Sequence, residues 1–189
     1  MRNKTVRLAL LGVLTAIVVL LQFLVVIRFG MFQIAISLVP IVIGAALCGP
    51  AAGAWLGAVA GGVILLNGDA AAFLQINIFG TILTVLAKGA LSGFCAGLAY
   101  KLLSGKNKLA AVSAAAVTAP LVNTGIFILG CYAFFLPTLR EWGVGYANVS
   151  QYIFLALVGA NFLVELAVNF LLSAVLLRLI SYGEKRFQW

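Results

Sequence analysis

Histidine is absent from this chain of 189 residues, and only four of its side chains are acidic. The first absence removes the commonest metal ligand and general base, and the second leaves no paired-carboxylate arrangement for acid–base work. Cysteine is scarce as well: Cys48, Cys95 and Cys131 stand singly in apolar stretches, with neither metal-site spacing nor a disulfide framework. They read as small buried hydrophobes. No nucleophile motif and no glycine-rich phosphate loop is present, so no enzyme, metal site or cofactor site is expected. A Walker motif is missing too, so any energy from ATP must come from another chain. Repeated pore-lining charges and a filter sequence are also lacking, which argues against a channel.

Charged residues make up 8% of the chain and hydrophobic ones 65%. That balance cannot cover a water-exposed surface, and apolar runs longer than ~18 residues mark an integral membrane protein. At ~20 residues per span the length allows about six helices and no soluble domain. We expect an all-α membrane protein, one six-helix domain over 1–189, with spans near 8–27, 34–48, 51–66, 77–103, 109–135 and 152–180. Arg2, Lys4 and Arg7 before the first run resemble the start of a signal peptide, but the run continues to Ile27 without a small-residue cleavage site and is read as a retained helix. Cys48-Gly49-Pro50 frees the backbone and then forbids helix continuation, predicting a tight helical hairpin. Gly53, Gly57, Gly61 and Gly62 leave the third span without bulk on one face, an invitation to close approach by a neighbour.

The net charge of +8 is read as topology rather than as affinity for nucleic acid. With six spans, Arg2, Lys4, Arg7, Lys101, Lys106, Lys108, Arg178, Lys185 and Arg186 fall on one side. Arg28 and Arg140 fall on the other, and Lys88 is embedded. Basic residues flank membrane helices on the cytoplasmic side, so both termini are expected there.

The informative residues are polar ones inside apolar segments: Lys88 among Thr81, Thr84 and Ser92; Asn123 with Thr124; and Asn161, Glu165 and Asn169. An ionisable side chain at mid-bilayer costs several kcal/mol on insertion scales, so it faces the bundle interior and marks a site or a fixed partner. The spacing of four puts Asn161, Glu165 and Asn169 on one helical face, and a Lys88–Glu165 pair fits the depth of both residues. Such groups serve equally as interhelical glue worth ~1 kcal/mol each. Asn123 and Asn161 are the better ligand candidates, because a neutral amide both donates and accepts. The connections 28–33, 67–76 and 136–151 mix glycine, aromatics and charge, a composition shared by lids and by plain connectors.

In order along the chain, the basic N-terminus running into Arg7-Leu8-Ala9-Leu10-Leu11-Gly12-Val13-Leu14-Thr15-Ala16, the Cys48-Gly49-Pro50-Ala51-Ala52-Gly53 hairpin, Asn77 through Gly89 ahead of Gly93 and Gly97, and a final helix with Asn161, Glu165 and Asn169 resemble the substrate-binding S component of an energy-coupling factor (ECF) vitamin transporter. The resemblance implies a six-helix bundle in the bacterial plasma membrane that binds one small vitamin near its extracellular face. It also implies a transmembrane coupling subunit, two cytoplasmic ATPases, and toppling of the bundle in the bilayer to carry the ligand across. The family's small-residue docking pattern on the first helix matches Gly12-x-x-x-Ala16. Within that frame Asn67, Asp69, Gln75, Asn77, Lys88, Asn123, Trp142, Tyr146, Asn161 and Glu165 are the expected substrate-binding residues, between the outer halves of helices 4–6. Pantothenate is the expected guest, since it would offer a carboxylate to Lys88 or Arg28 and hydroxyls to the asparagines; the subgroup that the chain most resembles also includes riboflavin carriers, for which Trp55, Trp142 and the phenylalanines could form a flat slot. Folate, cobalamin and nucleobase derivatives stay open. Two other classes remain: an assembly protein, and a stand-alone proton-coupled carrier using Glu165 and Lys88.

Overall fold

The computed structural model describes the backbone of residues 2–24, 28–29, 32–33 and 36–187, and side chains over 4–24, 36–159 and 162–183. The first helix, α1 (Arg2–Leu24), is followed by a two-residue antiparallel pair, β1 (Arg28–Phe29) and β2 (Phe32–Gln33), with Arg28 opposite Gln33. Next come α2 (Leu38–Cys48) and α3 (Pro50–Leu66), then a short α4 (Ala71–Ile76) and the long α5 (Ile78–Ser104). α6 (Lys108–Gly130) runs through a π-helical stretch, Cys131–Phe135, into α7 (Leu136–Trp142). The chain closes with α8 (Val149–Gln151), a second π-helical stretch at Tyr152–Gly159, α9 (Ala160–Leu171) and α10 (Ser173–Phe187).

Glycine sets the centre of the bundle. A Cβ built at Gly57 would land on the carbonyl oxygen of Gly89, and one at Gly53 on that of Gly93. The backbones of α3 and α5 therefore touch directly, as the bare stripe on α3 predicts, and no lipid enters there. The predicted turn between α2 and α3 is present: Gly49 takes φ +94°, a conformation that favours glycine, and Pro50 opens α3 at a position where its missing N–H costs nothing. Asparagine starts the next two long helices. Asn77 Oδ1 accepts from Gly80 N–H at 2.8 Å to cap α5, and Asn107 Oδ1 accepts from Ala110 N–H at 3.1 Å to cap α6.

Two apolar clusters close the molecule at opposite ends. One joins Leu14, Ile41, Leu56, Ala96, Ala115 and Leu176; the other joins Phe73, Cys131, Phe135, Leu139, Ile153 and Leu157. The first end carries the Gly49–Pro50 turn, since a Cβ on Gly97 would meet Pro50 Cα at 2.7 Å. Lys101 and Lys108, at the α5–α6 junction, lie toward that end. The Asn67 turn lies at the other end, where Asn67 Nδ2 reaches the carbonyl of Gln22 on α1 at 3.3 Å.

Among the described residues, four helical stretches are long and apolar enough to cross a membrane: Lys4–Leu24, Ile78–Ser104, Lys108–Trp142 and Val149–Leu171. α2 has 11 residues and α3 has 17, about 16 and 25 Å at 1.5 Å per residue. Two sequence expectations are corrected. The expected 136–151 loop begins with helix, because α7 continues α6 and Leu139 is fully buried in the second cluster. The expected continuous helix over 152–180 is instead π-helical at its start and interrupted at Leu172. Apolar periodicity alone does not distinguish these geometries.

Candidate functional site

Between the two apolar clusters lies a cavity offering about 120 Å³ of space, room for a small solute rather than for a single water. Each of the major helices through α9 contributes to its wall. Gln22 comes from the last turn of α1, Leu38 and Ile41 from the start of α2, and Ala60, Gly61 and Ile64 from the far half of α3. α5 supplies Thr81, Thr84, Lys88 and Ser92, α6 supplies Asn123, Thr124 and Phe127, and α9 supplies Phe162 and Glu165. Asp69 and Phe73 close in from the α3–α5 connection, while Phe135, Leu157 and Val158 belong to the two π-helical stretches. Apart from Ser92, just past the middle of α5, the helical positions lie in the half of each helix farther from the Gly49–Pro50 turn, so the cavity sits off-centre, toward the end with the Asn67 turn.

Much of the polar wall is already bonded. Ser37 donates to Gln22 Oε1 at 3.0 Å, Thr81 to the Asn77 carbonyl at 2.7 Å and Ser92 to the Gly89 carbonyl at 2.8 Å. Asn123 and Thr124 stand apart, since neither side chain makes a hydrogen bond among the described residues. A neutral amide on a cavity wall with donor and acceptor both uncommitted is ready to bind a polar guest. The Thr84 hydroxyl is also without a partner among the described residues, but it is turned toward Gly130. Lys88 holds its Nζ 5.5 Å from the centroid of the Phe127 ring, within cation–π range. Glu165 is 8% exposed, and its backbone carbonyl accepts from Asn169 Nδ2 at 2.8 Å.

Of the ten binding residues expected from sequence, Asp69, Lys88, Asn123 and Glu165 line this cavity. Asn67 stands behind the wall and holds Asp69 in place: its Nδ2 donates to Asp69 Oδ2 at 2.7 Å, and Asp69 N–H returns a bond to Asn67 Oδ1 at 3.0 Å. Asn77 is off the wall because it caps α5. Trp142 is off it because it packs edge-on against Phe73, centroids 5.9 Å apart, in the second apolar cluster. Gln75 is exposed, and Tyr146, also exposed, sets its ring 5.3 Å from that of Tyr152. The side chains of Asn161 and Arg28 lie outside the described residues. Gly12 and Ala16 are both exposed on α1, and a Cβ at Gly12 would meet nothing within 4 Å.

Gln22 and Phe73 are wall residues that sequence reasoning missed. Gln22 had a usable signal, being the one polar residue between Ala16 and Ile27. Phe73 had none: it is the hub of an aromatic cluster, 5.8 Å from Phe127 and 4.9 Å from Phe135, and looks in sequence like any loop phenylalanine.

A helical bundle with lipid-compatible outer faces and an interior cavity whose mostly apolar wall carries a few polar side chains defines a multi-pass membrane protein able to hold a small solute. Its family is ECF transporter, substrate-specific component, whose model matches residues 6–180; the chain belongs to it, and such components are transport subunits, not enzymes. No curated protein and no solved structure matches the chain.

Proposed function

We propose that this chain is the high-affinity, membrane-embedded S subunit of an ECF-type importer in the bacterial plasma membrane, taking up one small water-soluble vitamin. The observation that carries the reading is the off-centre cavity with Asn123 uncommitted on its wall. The basic residues at the α5–α6 junction and the cavity lie toward opposite ends. A cytoplasmic basic end, as expected for membrane helices, puts the cavity in the outer half. That orientation, with six spans and both termini inside, loads the guest from outside.

Energy is supplied by two cytoplasmic ATPases through a transmembrane coupling subunit that docks on α1, where Gly12 and Ala16 leave a flat surface. Toppling of the bundle then exposes the cavity inward. It is supported by the exposed outer surface, which carries Leu20, Leu66, Phe79, Leu129 and Leu163. Pantothenate is the guest that the lone cavity lysine favours, and riboflavin the one that Phe73, Phe127, Phe135 and Phe162 favour.

Co-purification and transport test the reading together. The tagged chain is expected to bring down a coupling subunit and ATPases from its native membrane, and to accumulate vitamin in proteoliposomes only with those partners and ATP. Uptake by the chain alone, driven by a proton gradient and abolished by Glu165→Gln, would instead establish a stand-alone carrier.

A further inference from the structure

We propose that α9 turns about its own axis as a unit, and that this turn withdraws Glu165 and Phe162 from the cavity wall and releases the guest. The inference rests on the transport reading above and adds how the site changes between holding and releasing. α9 is a short helix between two irregularities: the π-helical stretch Tyr152–Gly159 precedes it, and an interruption at Leu172 follows it. Beyond both irregularities the chain is anchored. On the outer side Asn148 Oδ1 accepts from Gln151 N–H at 2.8 Å, Gln151 Oε1 accepts from Ala147 N–H at 2.8 Å, and Tyr132 donates to Ser150 Oγ at 2.8 Å. On the inner side Leu176 and Ile180 of α10 are buried in the first apolar cluster, and a Cβ on Gly183 would meet Leu47 Cδ1 at 2.9 Å.

A π turn holds one more residue than an α turn. Rewinding one such turn as α therefore turns the following helix by about 100° and advances it by about 1.5 Å. With the outer end fixed, the slack passes through α9 and is taken up at Leu172. Val164 then takes the place of Glu165, and Val168 that of Asn169, so two buried polar positions become apolar. Glu165 and Asn169 move to the less buried places of Leu166 and Phe170, at a cost inside a bilayer that makes the π register the resting one. Leu163, Phe170 and Leu171 are exposed, so on that side the turning helix slides against lipid. The first π-helical stretch, Cys131–Phe135, is held by α5: a Cβ on Gly80 would meet Phe134 Cβ at 2.7 Å. The second carries its own register mark, since a Cβ on Gly159 would meet the carbonyl oxygen of Phe154, five residues earlier, at 2.8 Å. Alanine at that position crowds the π register, whereas in an α-helix it is favoured over glycine.

The test uses the full-length chain without its native cysteines, spin-labelled through Leu163→Cys on α9 and Leu91→Cys on α5, both exposed positions, in lipid nanodiscs. Pulsed EPR is expected to show one main distance with a minor second component, and Gly159→Ala is expected to make the second component the main one. Calorimetric titration of pantothenate and of riboflavin gives the consequence for the site. Whichever binds should bind about tenfold more weakly to Gly159→Ala, while the melting temperature holds or rises. Gly62→Ala, a helical glycine whose Cβ would meet nothing within 4 Å, should change neither the distances nor the affinity. An unchanged distance distribution in Gly159→Ala, or weaker binding accompanied by a lower melting temperature, would overturn the inference. The distances decide it even where neither vitamin binds. The transport reading is judged separately, by co-purification of the coupling subunit and ATPases, and stands or falls on that result alone.

Discussion

Asparagine does two different jobs in this chain. Asn77, Asn107 and Asn148 each accept a backbone N–H at the start of a helix, whereas Asn123 makes no hydrogen bond among the described residues and stands on the cavity wall. Polarity within apolar sequence made both kinds visible, but only the fold separates them. Asn77 directly precedes an apolar run and carried an N-cap signal that its polarity overshadowed. Lys88 and Glu165 were legible as interior groups because no lipid-facing position tolerates them cheaply. Their placement with Asp69 in one site was expected from polarity, depth and the family resemblance, and the cavity lining holds all three, although a turn and two helices distant in sequence supply them. Asn123→Ala should weaken vitamin binding about tenfold, the effect of losing one hydrogen bond worth ~1.4 kcal/mol, with the melting temperature unchanged. Asn77→Ala should do the reverse, costing ~1 kcal/mol of stability with affinity within twofold. Paired titration and thermal unfolding in detergent check both.

Helix order and the α2–α3 hairpin followed from periodicity and from Gly49-Pro50. The glycine stripe on α3 foretold a close neighbour but not which one, because sequence does not say that Gly57 meets Gly89. The π-helical stretches were invisible in the apolar pattern, yet they place Phe135, Leu157 and Val158 on the cavity wall. Gly57→Ala, forced against a backbone carbonyl, should destabilise the protein by ~1–3 kcal/mol. Gly62→Ala, where a Cβ would meet nothing within 4 Å, should be neutral or slightly stabilising. A shared, equal loss for both variants would contradict the direct α3–α5 backbone contact.

At the scale of the whole molecule, the proposed importer role joins charge asymmetry, cavity position and coupling in one arrangement. Composition disclosed the membrane. The guest was beyond reach of the sequence, since its chemistry is written in the convergence of α1 to α9 on one cavity. A single cysteine at Gly105, in a background without the native cysteines, should react with a membrane-impermeant thiol reagent only in inverted vesicles. One at Gly145 should react only in right-side-out cells. The most direct measurement is a structure of the purified protein with its vitamin bound. One guest is expected in the cavity, hydrogen-bonded to Asn123 and placed among Lys88, Asp69 and Glu165. A guest bound elsewhere on the bundle, or a cavity filled by side chains while vitamin is still retained, would contradict it.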